Sequence, residues 1–94
     1  EKTDTDLAQK SLPLLTQVTL KEPELALAWR LMATAYNRLG QNLEAEYALT
    51  EYERSSDKVT AAQKRAKRLL AKFDKNSPYY QRLQDIIALA ENYL

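Results

Sequence analysis

The sequence contains no histidine and no cysteine, and glycine occurs only once in its 94 residues, as Gly40. Without histidine and cysteine the chain cannot build a His-based general base, a Ser-His or Cys-His nucleophile pair, the usual zinc sites, an iron–sulfur cluster or a disulfide. A single glycine also excludes a Gly-rich loop that cradles phosphate. We therefore expect this chain to have no catalytic residue, no metal ligand and no cofactor.

An excess of one charge and a long apolar run are also lacking. The chain has 14 Lys and Arg residues against 13 Asp and Glu, which gives a formal net charge of +1, so composition does not favour nucleic acid as a partner. No apolar run approaches the roughly 20 residues that span a bilayer, and we expect no membrane insertion. The polar start at Glu1 lacks an initiator Met and a signal-peptide core. We interpret the chain as one domain of a longer protein.

The residues that are present predict an all-α domain of about five helices, because the helix formers Ala, Leu, Lys, Glu and Gln are abundant whereas glycine occurs once and proline three times. We expect Asp6 to cap the first helix, and Pro13 to bend that helix or delay its start. Gly40 predicts a left-handed turn in a helical hairpin, and Ser77 predicts the cap of the last helix. The first three predicted helices are residues 6–20, 24–39 and 42–54. The fourth is capped within residues 55–57 and carries an apolar stripe from Ala62 to Phe73. The fifth runs from Pro78 to the C-terminus.

The clearest apolar period lies in the second helix. Trp29, Met32 and Tyr36 follow one another at spacings of three and four residues, which places them on one helical face. An aromatic binding box is the alternative interpretation. We expect these residues to form core contacts between paired helices.

The same segment resembles the first helix of a tetratricopeptide repeat. In residues 28–40 an aromatic residue precedes large and small apolar residues, which are followed by Tyr36 and a Leu-Gly pair. Ala45 matches the small residue in the second helix of the repeat. Residues 6–23 are similar to the end of a preceding repeat. The resemblance implies a short solenoid of stacked antiparallel helical hairpins. It also implies that the outer stripe of the second helix lines a peptide-binding groove, the alternative being an ordinary solvated face. This stripe contains Arg30, Thr34, Asn37 and Arg38.

A narrower resemblance links several segments to the C-terminal repeat domain of bacterial periplasmic zinc metallopeptidases similar to the β-barrel assembly-enhancing protease. The segments are LMATAYNRLG at 31–40, ALTEY at 48–52, KRLL at 67–70 and SPYYQRLQDII at 77–87. The resemblance implies a periplasmic docking domain for a protein or an extended peptide, with zinc only in a separate peptidase domain that carries an HExxH motif. The alternatives are a free-standing adaptor or chaperone, with a cytoplasmic location left open, and a homodimer formed through an uncapped helical face.

Two further features have a structural and a functional interpretation. The basic run KRAKR at residues 64–68 follows an acidic segment at 44–57, so we expect antiparallel packing to match their charges rather than to create a nucleic-acid or lipid site. Tyr79 and Tyr80 are adjacent on a helix and thus point about 100° apart. We expect one of them to pack near Phe73 and the other to be a possible partner contact.

Overall fold

The computed structural model describes residues 2–93, and these residues form five α-helices without a strand. The predicted all-α class is therefore confirmed. The helices are α1 (Lys2–Lys21), α2 (Ala26–Arg38), α3 (Asn42–Ser55), α4 (Val59–Leu70) and α5 (Pro78–Tyr93).

Successive helices pack against each other in chain order, from α1 on α2 to α4 on α5. α1 and α2 are antiparallel: Asp4 near the start of α1 pairs with Arg38 at the end of α2, whereas Thr19 near the end of α1 contacts Met32. α3 and α4 are also antiparallel, since Arg65 pairs with Glu53 and the later Arg68 pairs with the earlier Glu46. The described residues extend over 43 × 26 × 20 Å. One side of the α1/α2 pair is open and exposes Leu7, Leu14 and Leu31.

Two apolar clusters form the core, and Tyr47 of α3 packs against both. Its ring makes edge contacts with Trp29, at 6.1 Å between centroids, and with Tyr79, at 4.9 Å. Trp29 and Met32 are buried and Tyr36 packs against their cluster, so the predicted core role of this stripe is confirmed. The first cluster joins Trp29, Met32, Ala33 and Ala48, and the second joins Ala62, Ala66, Leu69, Leu83 and Ile86.

The two strongest boundary predictions are confirmed by hydrogen bonds. Gly40 has φ 75°, and the amide of Gln41 donates to the carbonyl of Tyr36 at 2.9 Å, which closes α2 with a Schellman motif. The Ser77 hydroxyl accepts from the amides of Tyr79, at 3.0 Å, and of Tyr80, at 3.4 Å, immediately after Pro78 opens α5. Both ends thus follow from local backbone chemistry.

Several other boundary predictions are wrong. Asp6 does not cap α1, because the helix already begins at Lys2, and Pro13 lies inside the helix rather than delaying its start. The proline removes one backbone donor and its ring crowds the preceding turn, so a bend at Pro13 stays a prediction. Asp57 does not cap α4: it has φ 62° and belongs to the end of α3, where the Lys58 amide donates to the Glu53 carbonyl at 2.9 Å.

Two further ends differ from the predicted ranges. α2 begins at Ala26 rather than at residue 24, because residues 22–25 form a turn in which the Leu25 amide donates to the Glu22 carbonyl. α4 ends at Leu70, before Phe73, and the chain turns there through a bond from the Lys72 amide to the Leu69 carbonyl.

Gly40→Ala is expected to lower the free energy of unfolding by about 1–2 kcal/mol, since an L-residue in the left-handed region is strained. No atom lies within 4 Å of the added Cβ, so the loss comes from the backbone alone. Urea unfolding followed by circular dichroism measures it. Gly40→Asn is the matched control and should lose less, because asparagine tolerates this conformation; equal stability of Gly40→Ala and wild type would contradict the assignment.

Candidate protein-binding groove

An open groove of about 440 Å³ runs between α1 and α2. Its walls are largely apolar, and three of its leucines are strongly exposed: Leu7 by 59%, Leu14 by 66% and Leu31 by 47%. The lining residues are Asp4, Leu7, Ala8, Ser11, Leu14, Leu15, Leu31, Thr34, Ala35 and Arg38.

One end of the groove is marked by an ion pair between Arg38 Nη1 and Asp4 Oδ2 at 2.8 Å. Both side chains are about half exposed, so this pair contributes little to stability and is free to exchange partners. The two hydroxyl groups of the groove are already engaged within their own helices. Ser11 donates to the Leu7 carbonyl at 2.6 Å, and Thr34 donates to the Arg30 carbonyl at 3.3 Å.

The turn between α1 and α2, which joins the two groove walls, is bonded to α3. The Pro23 carbonyl accepts from Trp29 Nε1 and from Arg54 Nη2, both at 2.8 Å. Arg54 Nη1 also pairs with Glu24 Oε2 at 2.8 Å. A single guanidinium of α3 thus holds the carbonyl and the carboxylate of the turn.

Arg54 is in turn oriented by Glu51, a carboxylate that is only 2% exposed. Glu51 Oε1 accepts from Arg54 Nε at 2.7 Å and from Arg82 Nη2 at 3.2 Å. Its Oε2 accepts from the Tyr47 hydroxyl at 2.6 Å and from Arg82 Nε at 2.8 Å. This Glu51 network joins α3 and α5 to the α1–α2 turn.

Burial alone would raise the pKa of Glu51, but hydrogen bonds from Arg82, Tyr47 and Arg54 outweigh it and hold the pKa below its ordinary value. Burial and the neighbouring Glu51 charge raise the pKa of the Tyr47 hydroxyl. The carboxylate therefore stays ionised and the phenol stays protonated at neutral pH. Such a satisfied network is suited to positioning helices.

The sequence-predicted site residues divide between the groove and its surroundings. Thr34 and Arg38 line it, whereas Arg30 and Asn37 are exposed on α2 but do not line it. Sequence reasoning missed Leu31 and the whole α1 wall. A signal was present: Leu7 and Leu14 lie seven residues apart and share a face of α1.

Tyr79 and Tyr80 at the start of α5 are both half-buried. Tyr79 lies 5.0 Å from Phe73 and contacts Tyr47, so the predicted packing of one tyrosine near Phe73 is confirmed. Tyr80 takes part in no such ring contact among the described residues. Both lie outside the groove, and a partner contact at Tyr80 stays a prediction.

The predicted charge matching between α3 and α4 is present. Arg65 bridges Glu46, at 2.8 Å, and Glu53, at 2.9 Å, while Arg68 pairs with Glu46 at 2.9 Å. Hydrogen bonding by Arg68 lowers the pKa of Glu46 against an opposing effect of burial, and Arg65 adds to the lowering. The arginines of the basic run thus face α3, and its lysines are exposed.

Among residues 2–93, no group of three acidic side chains is arranged to hold a metal ion. Over the same residues, no helix combines the length and the hydropathy needed to cross a bilayer.

Comparison with known proteins returns no match: no protein family, no curated protein and no solved structure resembles this chain at a significant level. Membership of the tetratricopeptide or metallopeptidase family stays a prediction.

Arg82→Met is expected to lower the free energy of unfolding by about 3 kcal/mol at neutral pH, because it leaves the buried Glu51 carboxylate without its two-point partner. In wild type, the pKa of Glu51 is lower in the folded chain than its unfolded value of about 4.3. Its contribution is therefore complete above that value and is lost as pH falls through the folded pKa. As pH falls, the free energy of unfolding should therefore decrease less in Arg82→Met than in wild type.

Urea unfolding at a series of pH values measures both effects. Arg30→Met is the matched control, since Arg30 is exposed and its replacement should change stability by at most about 0.5 kcal/mol. An Arg82→Met protein as stable as this control, with the acid dependence of wild type, would contradict the role of the Glu51 network.

Proposed function

We propose that this chain is a non-catalytic protein-binding module of the tetratricopeptide type, and that its α1/α2 groove is the binding surface. The groove supports this proposal, because three of the seven exposed leucines of the described residues line it together. Contiguous exposed apolar surface of this kind is typical of a partner site. The Glu51 network supplies a rigid support, which lowers the entropic cost of binding.

The proposed parent protein is a periplasmic zinc metallopeptidase of outer-membrane quality control, for which this module would dock substrates or an assembly partner. The supporting observations are the sequence segments described above, above all SPYYQRLQDII at residues 77–87. Peptide mapping of the native protein by mass spectrometry tests this parentage. An HExxH segment upstream of residue 1 is expected, and a mature chain without one would favour a free-standing adaptor.

Replacing two groove leucines should weaken peptide binding without unfolding the protein. The variant is Leu14→Gln/Leu31→Gln, and the probes are peptides selected on the wild-type chain from a displayed random library. A leucine that is buried on binding contributes about 1 kcal/mol or more, so two losses should weaken binding by about tenfold to a hundredfold. Both residues are exposed, and the melting temperature should change little.

The matched control is Leu20→Gln/Leu89→Gln, which removes two exposed leucines that lie outside the groove. It should bind the selected peptides as wild type does. Equal loss in both variants, or no loss in either, would contradict the groove assignment. Sedimentation tests the alternative of a homodimer. That alternative predicts that wild type and the control variant are dimers and that Leu14→Gln/Leu31→Gln is a monomer.

A further inference from the structure

Three cations border the groove without lining it. Lys10 lies on the same side of α1 as Leu7 and Leu14, since it is three residues from one and four from the other, and Lys21 follows Leu14 by seven residues. On α2, Arg30 precedes Thr34 of the groove by four residues. All three cations are exposed, and none forms an ion pair with another described side chain.

In the turn, Glu24 is held by Arg54. Asp6 precedes Lys10 by four residues, and Glu22 directly follows Lys21. The border therefore has three cations against two carboxylates, and Arg30 is the cation with no acidic residue within four positions along the chain.

The groove also favours one backbone conformation in its ligand. An extended peptide needs donors for its own carbonyls, but the Ser11 and Thr34 hydroxyls already donate their protons within their own helices and can only accept. A helix satisfies its own backbone and needs only side-chain complementarity. Residues 4–15 of α1 form a wall about 16 Å long, which corresponds to about three helical turns.

We propose that the α1/α2 groove binds an amphipathic helix of a partner protein, with a leucine-type apolar face flanked by acidic residues. This inference rests on the proposed function and specifies the partner's chemistry. The apolar face of the helix packs on Leu7, Leu14 and Leu31, and its flanking carboxylates meet Lys10 and Arg30. Apolar burial supplies affinity, and the charges select the partner.

Two synthetic peptides test this proposal against the full 94-residue chain. Both carry leucines at positions i, i+3, i+4 and i+7 over about four helical turns; one has glutamate and the other lysine at the flanking positions. Fluorescence anisotropy should show the glutamate peptide binding at least about tenfold more tightly, with a preference that decreases as salt is raised.

Reversing the charge of the groove border should reverse the preference. In Lys10→Glu/Arg30→Glu the glutamate peptide should lose at least about tenfold in affinity, and the lysine peptide should gain. The control Lys64→Glu/Lys67→Glu changes net charge by the same amount on exposed residues of α4, outside the groove. It should keep the wild-type preference.

The outcomes separate this inference from the proposed function. A lysine peptide that binds as tightly as the glutamate peptide, or a control with the same reversal, overturns the acidic partner but leaves a leucine-dependent groove intact. Binding of neither peptide overturns the helical ligand, whereas the selected library peptides still test the groove itself. If Leu14→Gln/Leu31→Gln binds neither synthetic peptide, the peptides bind in the leucine-lined groove, which supports the proposal.

Discussion

The burial of one carboxylate constrains most of this structure. Glu51 is removed from water, so its charge must be compensated by donors in fixed positions, and these come from α3 and α5. Arg54 extends the constraint to the Pro23 carbonyl, where Trp29 also donates. A chain of contacts therefore runs from Glu51 to the turn that joins the two walls of the groove.

The apolar core has a complementary role. Nine of the 14 buried apolar residues of the described chain are alanines, which allow helices to approach closely but bury little area each. Few large side chains are buried, and aromatic contacts of Tyr47 join the two clusters. Several leucines lie outside this core on α1 and α2, because no later helix packs over that side. The described helices thus pack closely through small residues and leave a leucine-rich face of α1 and α2 exposed.

Sequence reasoning succeeded where a feature is local. Gly40 and Ser77 act through bonds to residues within five positions, so their roles are visible in the sequence. Asp57 misled it, because a capping residue also fits a left-handed helix end. Glu51 was missed, since nothing local distinguishes it from the other glutamates of α3 and its partner Arg82 is 31 residues away. The groove was half predicted: Thr34 and Arg38 line it, but its α1 wall depends on which leucines the tertiary structure leaves uncovered.

The central claim is that a helix docks between α1 and α2 on a support that stays rigid. Amide chemical-shift mapping by NMR during titration with the glutamate-flanked peptide tests it most directly. The account predicts that the largest shifts fall on α1 and on the outer face of α2, with α4 and α5 unchanged. Shifts that centre on α4 or α5, or that spread evenly over all five helices, would contradict it.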